Sequence, residues 1–214
     1  VDAMRTIHRN NFDFAELTIE PPNATPEKIK RIIKEIKKTS DLFSHPLVGH
    51  TAWWFEPGTE YELIREATIC EFKKAIDVCH TLNIEYMNIH ATTYGLYFDK
   101  NKTTKIVLNN FAKSLKELRK YGQQKDVKIM LENVPEKRDL SRFKSFKYLI
   151  DKSGVFVHLD IAHAFVAGGM DEIFSYMSTF RGKIRHTHIH DNMGLHDDHF
   201  PLCKGKIDFE AVAS

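Results

Sequence analysis

Residues 155–191, VFVHLDIAHAFVAGGMDEIFSYMSTFRGKIRHTHIHD, determine the fold class. The stretch opens with a mainly apolar run, Val155–His163, that predicts a buried strand. A helical pattern follows over residues 171–180, and Ile184–Asp191 predicts a second strand. A strand, a helix and a strand in succession indicate a right-handed unit whose two strands are parallel.

The same alternation of strands and helices extends back to the start of the chain. A helix is predicted to begin at Thr25, as N-cap, with Pro26 in the first helical position. Thr59 and Glu62 have the spacing of a capping box, which predicts the start of a long helix. Four further strands are predicted at Phe12–Glu20, Leu47–Ala52, Tyr86–Ala91 and Val127–Val134.

Six predicted strands separated by helices favour an α/β fold, a (β/α)8 TIM barrel. Such a barrel has eight strands. The chain opens in a predicted helix, Asp2–Arg9, and stops one helix after the sixth strand. We therefore expect a single domain over residues 1–214 that holds strands two to seven and lacks the first and last strands. A doubly wound open sheet is the alternative, but no glycine-rich phosphate loop follows any predicted strand.

The bulk composition is ordinary for a globular chain: 214 residues, 42% hydrophobic and 28% charged. No apolar run approaches the ~18–20 residues of a membrane span, and the opening residues VDAMR do not form a secretory signal, so no membrane partner is expected. A net charge of +2 is too weak to argue for nucleic acid by itself, although it does not exclude a local basic patch. Three cysteines, an odd number, predict reduced thiols in a cytoplasmic protein.

Polar side chains recur where the predicted strands end. In a parallel barrel these ends converge on one face, where active sites lie. The residues of metal-ligand type in these positions are His50, His90, Glu132, Asp160, His163 and His188, with Asp197 and His199 in the loop that follows. A single histidine in a strand is more often a hydrogen-bonded core residue, but the co-location of so many predicts a metal site. Imidazole and carboxylate together suit zinc, manganese or iron better than calcium.

Histidine is dense near the end of the chain, where seven of the 12 fall within one stretch of 42 residues. Strand alternation places His186, His188 and His190 on one face, and not all three can bind one metal. We choose His188 as the ligand and expect His186 and His190 to lie in the core or behind the ligands. His158 shares a face with Asp160 but lies one layer deeper, so we expect it to pack there or to support a ligand.

Trp53 and Trp54 follow His50 in a loop that should face the same site. A hydrophobic lid is the plain interpretation of this pair. The functional interpretation is a substrate-binding platform for a sugar or a base. Cys203 lies near the cluster in sequence and could be a soft ligand, but an ordinary loop cysteine is the favoured interpretation.

A series of motifs resembles the endonuclease IV and xylose-isomerase-like barrel superfamily over nearly the whole chain. In order, the motifs are His50, His90, LEN at 131–133, LDIAHAF at 159–165, HIHDN at 188–192 and DDHFPLCKGKID at 197–208. The resemblance implies a TIM barrel with divalent metals at its carboxyl face. In the endonuclease IV branch it implies three zinc ions, with Glu132 as a bridge between two of them. On that pattern the first site is completed by His50 and His90, the second holds Asp160 and His188, and the third holds His163, Asp197 and His199.

The sequence departs from the family pattern in one loop. Cys203 stands at the first glycine of the usual G-x-G-x-I-D loop, which leaves the path of that loop open. The family's ninth ligand is a glutamate on the eighth strand, which would lie beyond Ser214.

The resemblance leaves two activities and one inactive alternative. The first activity is hydrolysis of a phosphodiester, as at abasic sites in DNA, where up to three zinc ions would lower the pKa of a bound water and stabilise charge on the phosphate. The Asp197-x-His199 pair favours this activity, because a one-metal isomerase needs no third site.

The second activity is isomerisation or epimerisation of a sugar or sugar phosphate with a single manganese, cobalt or magnesium ion, in which Glu132 would be the catalytic acid/base. The near-neutral charge favours that activity, and a non-catalytic metal-binding barrel is the third alternative.

Overall fold

Six parallel strands form one sheet in the part of the chain that the structure describes. The computed structural model describes residues 1–92, 100–135 and 142–214. The strands are β1 (Glu16–Ile19), β2 (Val48–Thr51), β3 (Tyr86–His90), β4 (Lys128–Glu132), β5 (Phe156–Asp160) and β6 (Ile184–His188). They lie in the order β1-β2-β3-β4-β5-β6, and each neighbouring pair is parallel. The predicted α/β architecture of barrel type is thereby confirmed.

The sheet is curled, so that its two edge strands face each other across the interior. Glu16 on β1 reaches His186 on β6, with 2.7 Å between Oε1 and Nε2. A flat sheet of six strands would hold these residues about 24 Å apart, because neighbouring strands lie about 4.8 Å apart. The interior of the curl is therefore narrow enough for side chains from opposite strands to touch.

Helices connect the strands and cover the outer face of the sheet. They are α1 (Asp2–Arg9), α2 (Pro26–Arg31), α3 (Ile33–Ser40), α4 (Glu62–Thr81), α5 (Lys100–Gln123), α6 (Phe143–Ser153), α7 (Ile161–Phe180) and α8 (Phe209–Ala213). Helix α4 buries Phe72 and Ile76, and α5 buries Leu115 and Leu118, all in one hydrophobic core. Each fully buried side chain of this size contributes about 1.5–3 kcal/mol to the free energy of unfolding. Packing against the helices therefore holds in place the strands that carry the interior residues.

Strand alternation separates an apolar outer face from a polar inner one. On β3 and β4 the outward residues include Met87, Ile89 and Leu131, which are buried in the core with the helices. The inward residues His90 and Glu132 are paired directly across the two strands. Since successive side chains point to opposite faces, the same helices that bury the apolar residues aim the polar ones into the curl.

The end of β5 and the start of α4 are among the local predictions that differ from the structure. Strand β5 ends at Asp160, and Ile161 already begins α7, so His163 lies in the first helical turn rather than on the strand. The predicted capping box is wrong, because α4 begins at Glu62 with Tyr61 as its N-cap and has no side-chain cap. Glu62 is instead hydrogen-bonded to the buried Arg65. The predicted Thr25 cap is confirmed, since its hydroxyl accepts the backbone N–H of Lys28 at 3.3 Å.

All three cysteines are free thiols; Cys79 is buried, whereas Cys70 and Cys203 are exposed. Within the ranges that the structure describes, no helix combines the length and the apolar composition that crossing a membrane requires.

Candidate metal centre

A cavity of about 380 Å³ opens at the carboxyl ends of the strands. All eight residues that the sequence predicts as metal ligands line it. They are His50, His90, Glu132, Asp160, His163, His188, Asp197 and His199. Parallel strands deliver their last residues to one face, which explains how residues spread over 150 positions meet. Their role as ligands stays a prediction.

Glu132, the last residue of β4, lies at the centre of the cluster and is 1% exposed. Its Oε2 is 3.1 Å from His90 Nε2 and 3.6 Å from His50 Nε2. The same oxygen accepts a hydrogen bond from the Asn88 amide, and Oε1 is 3.2 Å from His188 Nδ1. Burial alone would raise the pKa of this carboxyl, but the surrounding histidines hold the pKa well below its ordinary value. Glu132 is therefore an anion that two sets of histidines share.

Asp160 has two roles because it ends β5 and caps α7. Its Oδ1 accepts the backbone N–H of His163 at 2.7 Å. Its Oδ2 lies 3.2 Å from His190 Nε2 and 3.5 Å from His188 Nδ1. Burial alone would raise the pKa of Asp160, but hydrogen bonds with these two histidines lower it below the ordinary value. The helix cap thus leaves one oxygen of the carboxylate free to face the cluster.

His163 is oriented by the backbone that precedes it. Its Nδ1 donates to the carbonyl of Asn133 at 2.8 Å, because a carbonyl can only accept. Nε2 therefore points to the cavity, 3.1 Å from Asp197 Oδ2. Burial alone would lower the pKa of this histidine, but Asp197, Asp160 and Glu132 raise the pKa to about 9. The side chain of Asn133 also forms hydrogen bonds with the backbone N–H and carbonyl of Asp160. Asn133 therefore fixes the position of His163 relative to Asp160.

The loop after β6 returns Asp197 and His199 to the cavity. His199 Nε2 lies 3.1 Å from Asp197 Oδ2. The ring of His190 stacks on that of His199, with 3.9 Å between centroids and 5° between planes. His190, which the sequence placed behind the ligands or in the core, thus has a nitrogen atom in the same group as His163, Asp197 and His199.

Asp191 closes this loop, and sequence reasoning missed it. The residue is fully buried. Its Oδ1 accepts the backbone N–H groups of Asn192 at 2.8 Å and Ile207 at 3.2 Å, and Oδ2 accepts that of Gly205 at 2.7 Å. Burial alone would raise its pKa, but these backbone N–H groups lower the pKa. Gly205 allows the close approach, since a Cβ there would lie 2.3 Å from Asp191 Oδ1. Cys203 is an exposed residue of the same loop and belongs to none of the ligand groups found in the described residues.

A second set of histidines lies next to Glu132, and its His158 is buried whereas His186 and His188 are partly exposed. Glu16 on β1 bonds His186 and His188 of β6. His158, with no exposed surface, lies beside both rings at centroid distances of 4.6 and 4.1 Å. Burial is the main cause that lowers the pKa of His158 to about 3, so its ring is neutral. Sequence reasoning missed Glu16, although strand alternation places it on the same face as His186.

The two tryptophans differ in their position. Trp53 lines the cavity and is 52% exposed. Trp54 packs against Trp53 edge to face at 5.7 Å between centroids, and among the residues described it is not part of the cavity wall. The predicted substrate platform can therefore involve Trp53 directly and Trp54 only through its neighbour.

The donor set of the cavity fits a divalent cation such as zinc or manganese. Three groups of histidine and carboxylate atoms each have their ligand atoms within 4.8 Å of one another, and they involve seven of the eight predicted residues. Within the described residues, Asp197 Oδ1 and His90 Nδ1 are buried without a hydrogen-bond partner. Asp197 Oδ1 has His190 Nε2 at 3.7 Å, beyond hydrogen-bond distance, and a buried carboxylate oxygen without a hydrogen bond is costly unless a cation meets it. Neutral imidazole and carboxylate together are the ligands that zinc and manganese prefer.

Comparison with known proteins finds one matching family and two kinds of similar protein. A family model described as xylose isomerase-like TIM barrel matches residues 4–214. A probable endonuclease 4 of Thermotoga petrophila is 28% identical over 178 residues, which are 77% of this chain and 58% of that protein. A fructoselysine 3-epimerase of Shigella flexneri is 24% identical over 215 residues, which are 96% of this chain and 76% of that protein.

A solved structure matches the fold over nearly the whole chain. The crystal structure of a D-tagatose 3-epimerase-like protein has a TM-score of 0.84 and 26% identity. The match covers 98% of this chain and 79% of that one. Similar proteins therefore include both a probable endonuclease and epimerases, and the comparisons favour neither kind over the other.

Proposed function

This chain belongs to the xylose isomerase-like TIM barrel family, and we propose that it is a multinuclear, zinc-dependent phosphodiesterase that acts on damaged DNA of the abasic-site type. One observation carries the proposal. The group of His163, His190, Asp197 and His199 lies beside Glu132 and Asp160 in the same cavity. A single catalytic metal with three or four protein ligands would leave this second group without a purpose.

The residues divide between an inner and an outer set. Glu132 faces His50 and His90 through Oε2 and His188 through Oε1, so it would bridge two metals. Asp160 would complete the inner set with His188. His163, Asp197 and His199 would hold the outer metal, with His190 beside them. When bound, such cations lower the pKa of a coordinated water and neutralise charge on phosphate oxygens.

The rest of the cavity suits a single nucleotide that is flipped out of the DNA stack better than it suits a duplex. A volume of about 380 Å³ is in the range of small-ligand pockets and accepts one sugar and its phosphate. Trp53 at the rim offers an aromatic face on which a base or a sugar can stack. The phosphodiester bond would then lie between the inner and outer sets.

Epimerisation of a ketose is the second candidate, and a specific observation favours it. The fructoselysine 3-epimerase sequence aligns with 96% of this chain, a larger share than the 77% that aligns with the probable endonuclease 4 of Thermotoga petrophila. Glu132 and Asp160 are two carboxylates on one cavity wall, as proton transfer at a sugar carbon requires. In this reading a single manganese, cobalt or magnesium ion would bind the inner set.

Metal content and activity on two substrates separate the candidates. Metals in the purified protein would be counted by mass spectrometry, and cleavage of an oligonucleotide with one abasic site would be compared with epimerisation of ketohexoses. Close to three zinc ions per chain and strand cleavage support the phosphodiesterase. One ion per chain with ketose epimerisation would overturn it. Bound metal with neither activity would point to a non-catalytic barrel.

A further inference from the structure

We propose that Glu16 is a positioning residue that fixes the ring of His188. Its contact with Nε2 leaves Nδ1 as the nitrogen that faces the inner metal ligands. Glu16 lies on β1, while His188 ends β6. The inference rests on the proposed metal centre, and it assigns a role to a carboxylate that belongs to none of the three metal sites proposed above.

The contacts of His188 are divided between two layers of the interior. On the lower side, Nε2 is 3.1 Å from Glu16 Oε2. On the upper side, Nδ1 is 3.2 Å from Glu132 Oε1 and 3.5 Å from Asp160 Oδ2. An ionised carboxylate only accepts hydrogen bonds, so the contact with Glu16 keeps the proton on Nε2. The lone pair of a neutral His188 is then on Nδ1, beside Glu132 and Asp160.

The other oxygen of Glu16 fixes the carboxylate itself. Its Oε1 lies 2.7 Å from His186 Nε2. His186 in turn packs edge to face against His158, which has no exposed surface. The carboxylate is thus held at two points on one strand and cannot rotate away from His188. A carboxylate behind a metal-binding histidine sets its tautomer and orientation, and its loss typically costs 10–100-fold in metal affinity.

The same layer could instead bind a metal of its own. Glu16, His158, His186 and His188 have ligand atoms within 4.8 Å of one another, and neither ring nitrogen of His158 has a hydrogen-bond partner among the described residues. We favour positioning because both oxygens of Glu16 already bond histidine nitrogens. A metal at this layer would also compete with the inner set for His188.

The test uses the full protein, wild type and Glu16→Gln, loaded with zinc. Zinc affinity would be measured by competition with a chelator, zinc content by mass spectrometry, and histidine tautomers by long-range proton–nitrogen NMR. The expected result is an unchanged number of zinc ions at saturation, a 10–100-fold weaker affinity of the inner set, and a wild-type His188 with its proton on Nε2. Glu85→Gln is the matched control, because Glu85 pairs with Lys128 at the surface, and it should leave all three readouts unchanged.

Three results would overturn the inference. Unchanged zinc affinity in Glu16→Gln would show that Glu16 does not act on the ligand set. Loss of one whole zinc equivalent at saturation would show that Glu16 is itself a ligand. A proton on Nδ1 of His188 in the zinc-loaded wild type would overturn the inference without any variant, including the case in which Glu16→Gln fails to fold.

The failure of the proposed function would look different. A wild-type protein that binds no zinc would sink the phosphodiesterase proposal. The hydrogen bond from His188 Nε2 to Glu16 would still be visible in the metal-free protein as a downfield proton signal. Its absence in the wild type would overturn the placement of Glu16. Its presence in the wild type, with an upfield shift or loss in Glu16→Gln because an amide oxygen is a weaker acceptor than a carboxylate, would support the placement.

Discussion

Asp191→Asn should destabilise the protein and loosen the outer ligand set without a change in any ligand. Asn is nearly the same size, so the substitution isolates the charge and the acceptor. The best orientation of the amide keeps its oxygen on the N–H groups of Asn192 and Ile207. The amide nitrogen then meets the N–H of Gly205, which now lies 2.7 Å from the Asp191 oxygen, and two donors face each other.

The magnitude follows from that one lost bond. A hydrogen bond to a charged group contributes about 1.5–3 kcal/mol, and an unpaired buried N–H costs about 1–3 kcal/mol. Because the two figures describe the same event, we expect a loss of about 2–3 kcal/mol in the free energy of unfolding. The loop that carries Asp197 and His199 is closed by this contact, so the zinc content should fall by up to one ion per chain.

Urea unfolding and metal analysis measure the two effects. Asp198→Asn is the matched control, because the one side-chain hydrogen bond of Asp198 to a described residue is exposed and joins it to the N–H of Met193 at 3.2 Å. This substitution should cost less than about 1 kcal/mol. Since the pKa of Asp191 is lowered, its stabilisation is present at neutral pH and is lost as the pH falls below about 4 through the pKa of the folded state. Surface substitutions usually change the free energy of unfolding by no more than about 0.5 kcal/mol. An Asp191→Asn protein whose free energy of unfolding lies within that range of wild type, and whose zinc content is full, would refute the reasoning.

Three further results are expected. Glu132→Gln should remove most of the bound zinc, because Glu132 faces the histidines of both inner sites; wild-type content by mass spectrometry would contradict the bridging role. Zinc binding should release protons and become stronger as the pH rises, because three carboxylates, led by Asp160, overcome the effect of burial and raise the pKa of His188. Calorimetry in two buffers of different ionisation enthalpy should show this proton release, and equal binding heats in the two buffers would contradict it. Gly205→Ala should cost at least about 1–3 kcal/mol, because its Cβ would lie 2.3 Å from the Asn192 carbonyl oxygen, whereas Gly182→Ala has nothing within 4 Å and should be nearly neutral in the same unfolding experiment.

The strand order and the meeting of the candidate ligands at one face were predictable because both follow from periodicity. Apolar residues such as Met87 and Ile89 alternate with Asn88 and His90, and this pattern specifies a strand with one polar face. Once the strands are parallel, their last residues must meet. The end of β5 was not predictable in this way, because an apolar run continues past Asp160. The Asp160 side chain bonds the backbone N–H of His163, and that cap decides where the helix begins.

The residues missed in the site depend on contacts that local patterns do not contain. Glu16 meets His186 only because the sheet curls, and the two are 170 positions apart. His190 follows β6 by two residues, where the chain has left the strand, so alternation no longer predicts its direction. Asp191 has the composition of any turn residue, and its role is visible only when the chain returns at Gly205. Curvature and loop closure are tertiary properties, and a single sequence gives no measure of them.

The hydrogen bonds of two histidines also limit which of the proposed metal sites each of them could join. His163 lies close enough to Glu132 and Asp160 to join the inner set, with its Nδ1 at 3.8 and 3.6 Å from their oxygens. That nitrogen, however, donates to the Asn133 carbonyl, and an imidazole nitrogen that carries a proton cannot bind a metal. Only Nε2 remains, and it faces Asp197. His188 shows the opposite choice, since Glu16 occupies its Nε2 and leaves Nδ1 for Glu132 and Asp160. Each histidine is thereby restricted to one set by a partner that is not a ligand, which favours distinct inner and outer metals over one shared ion.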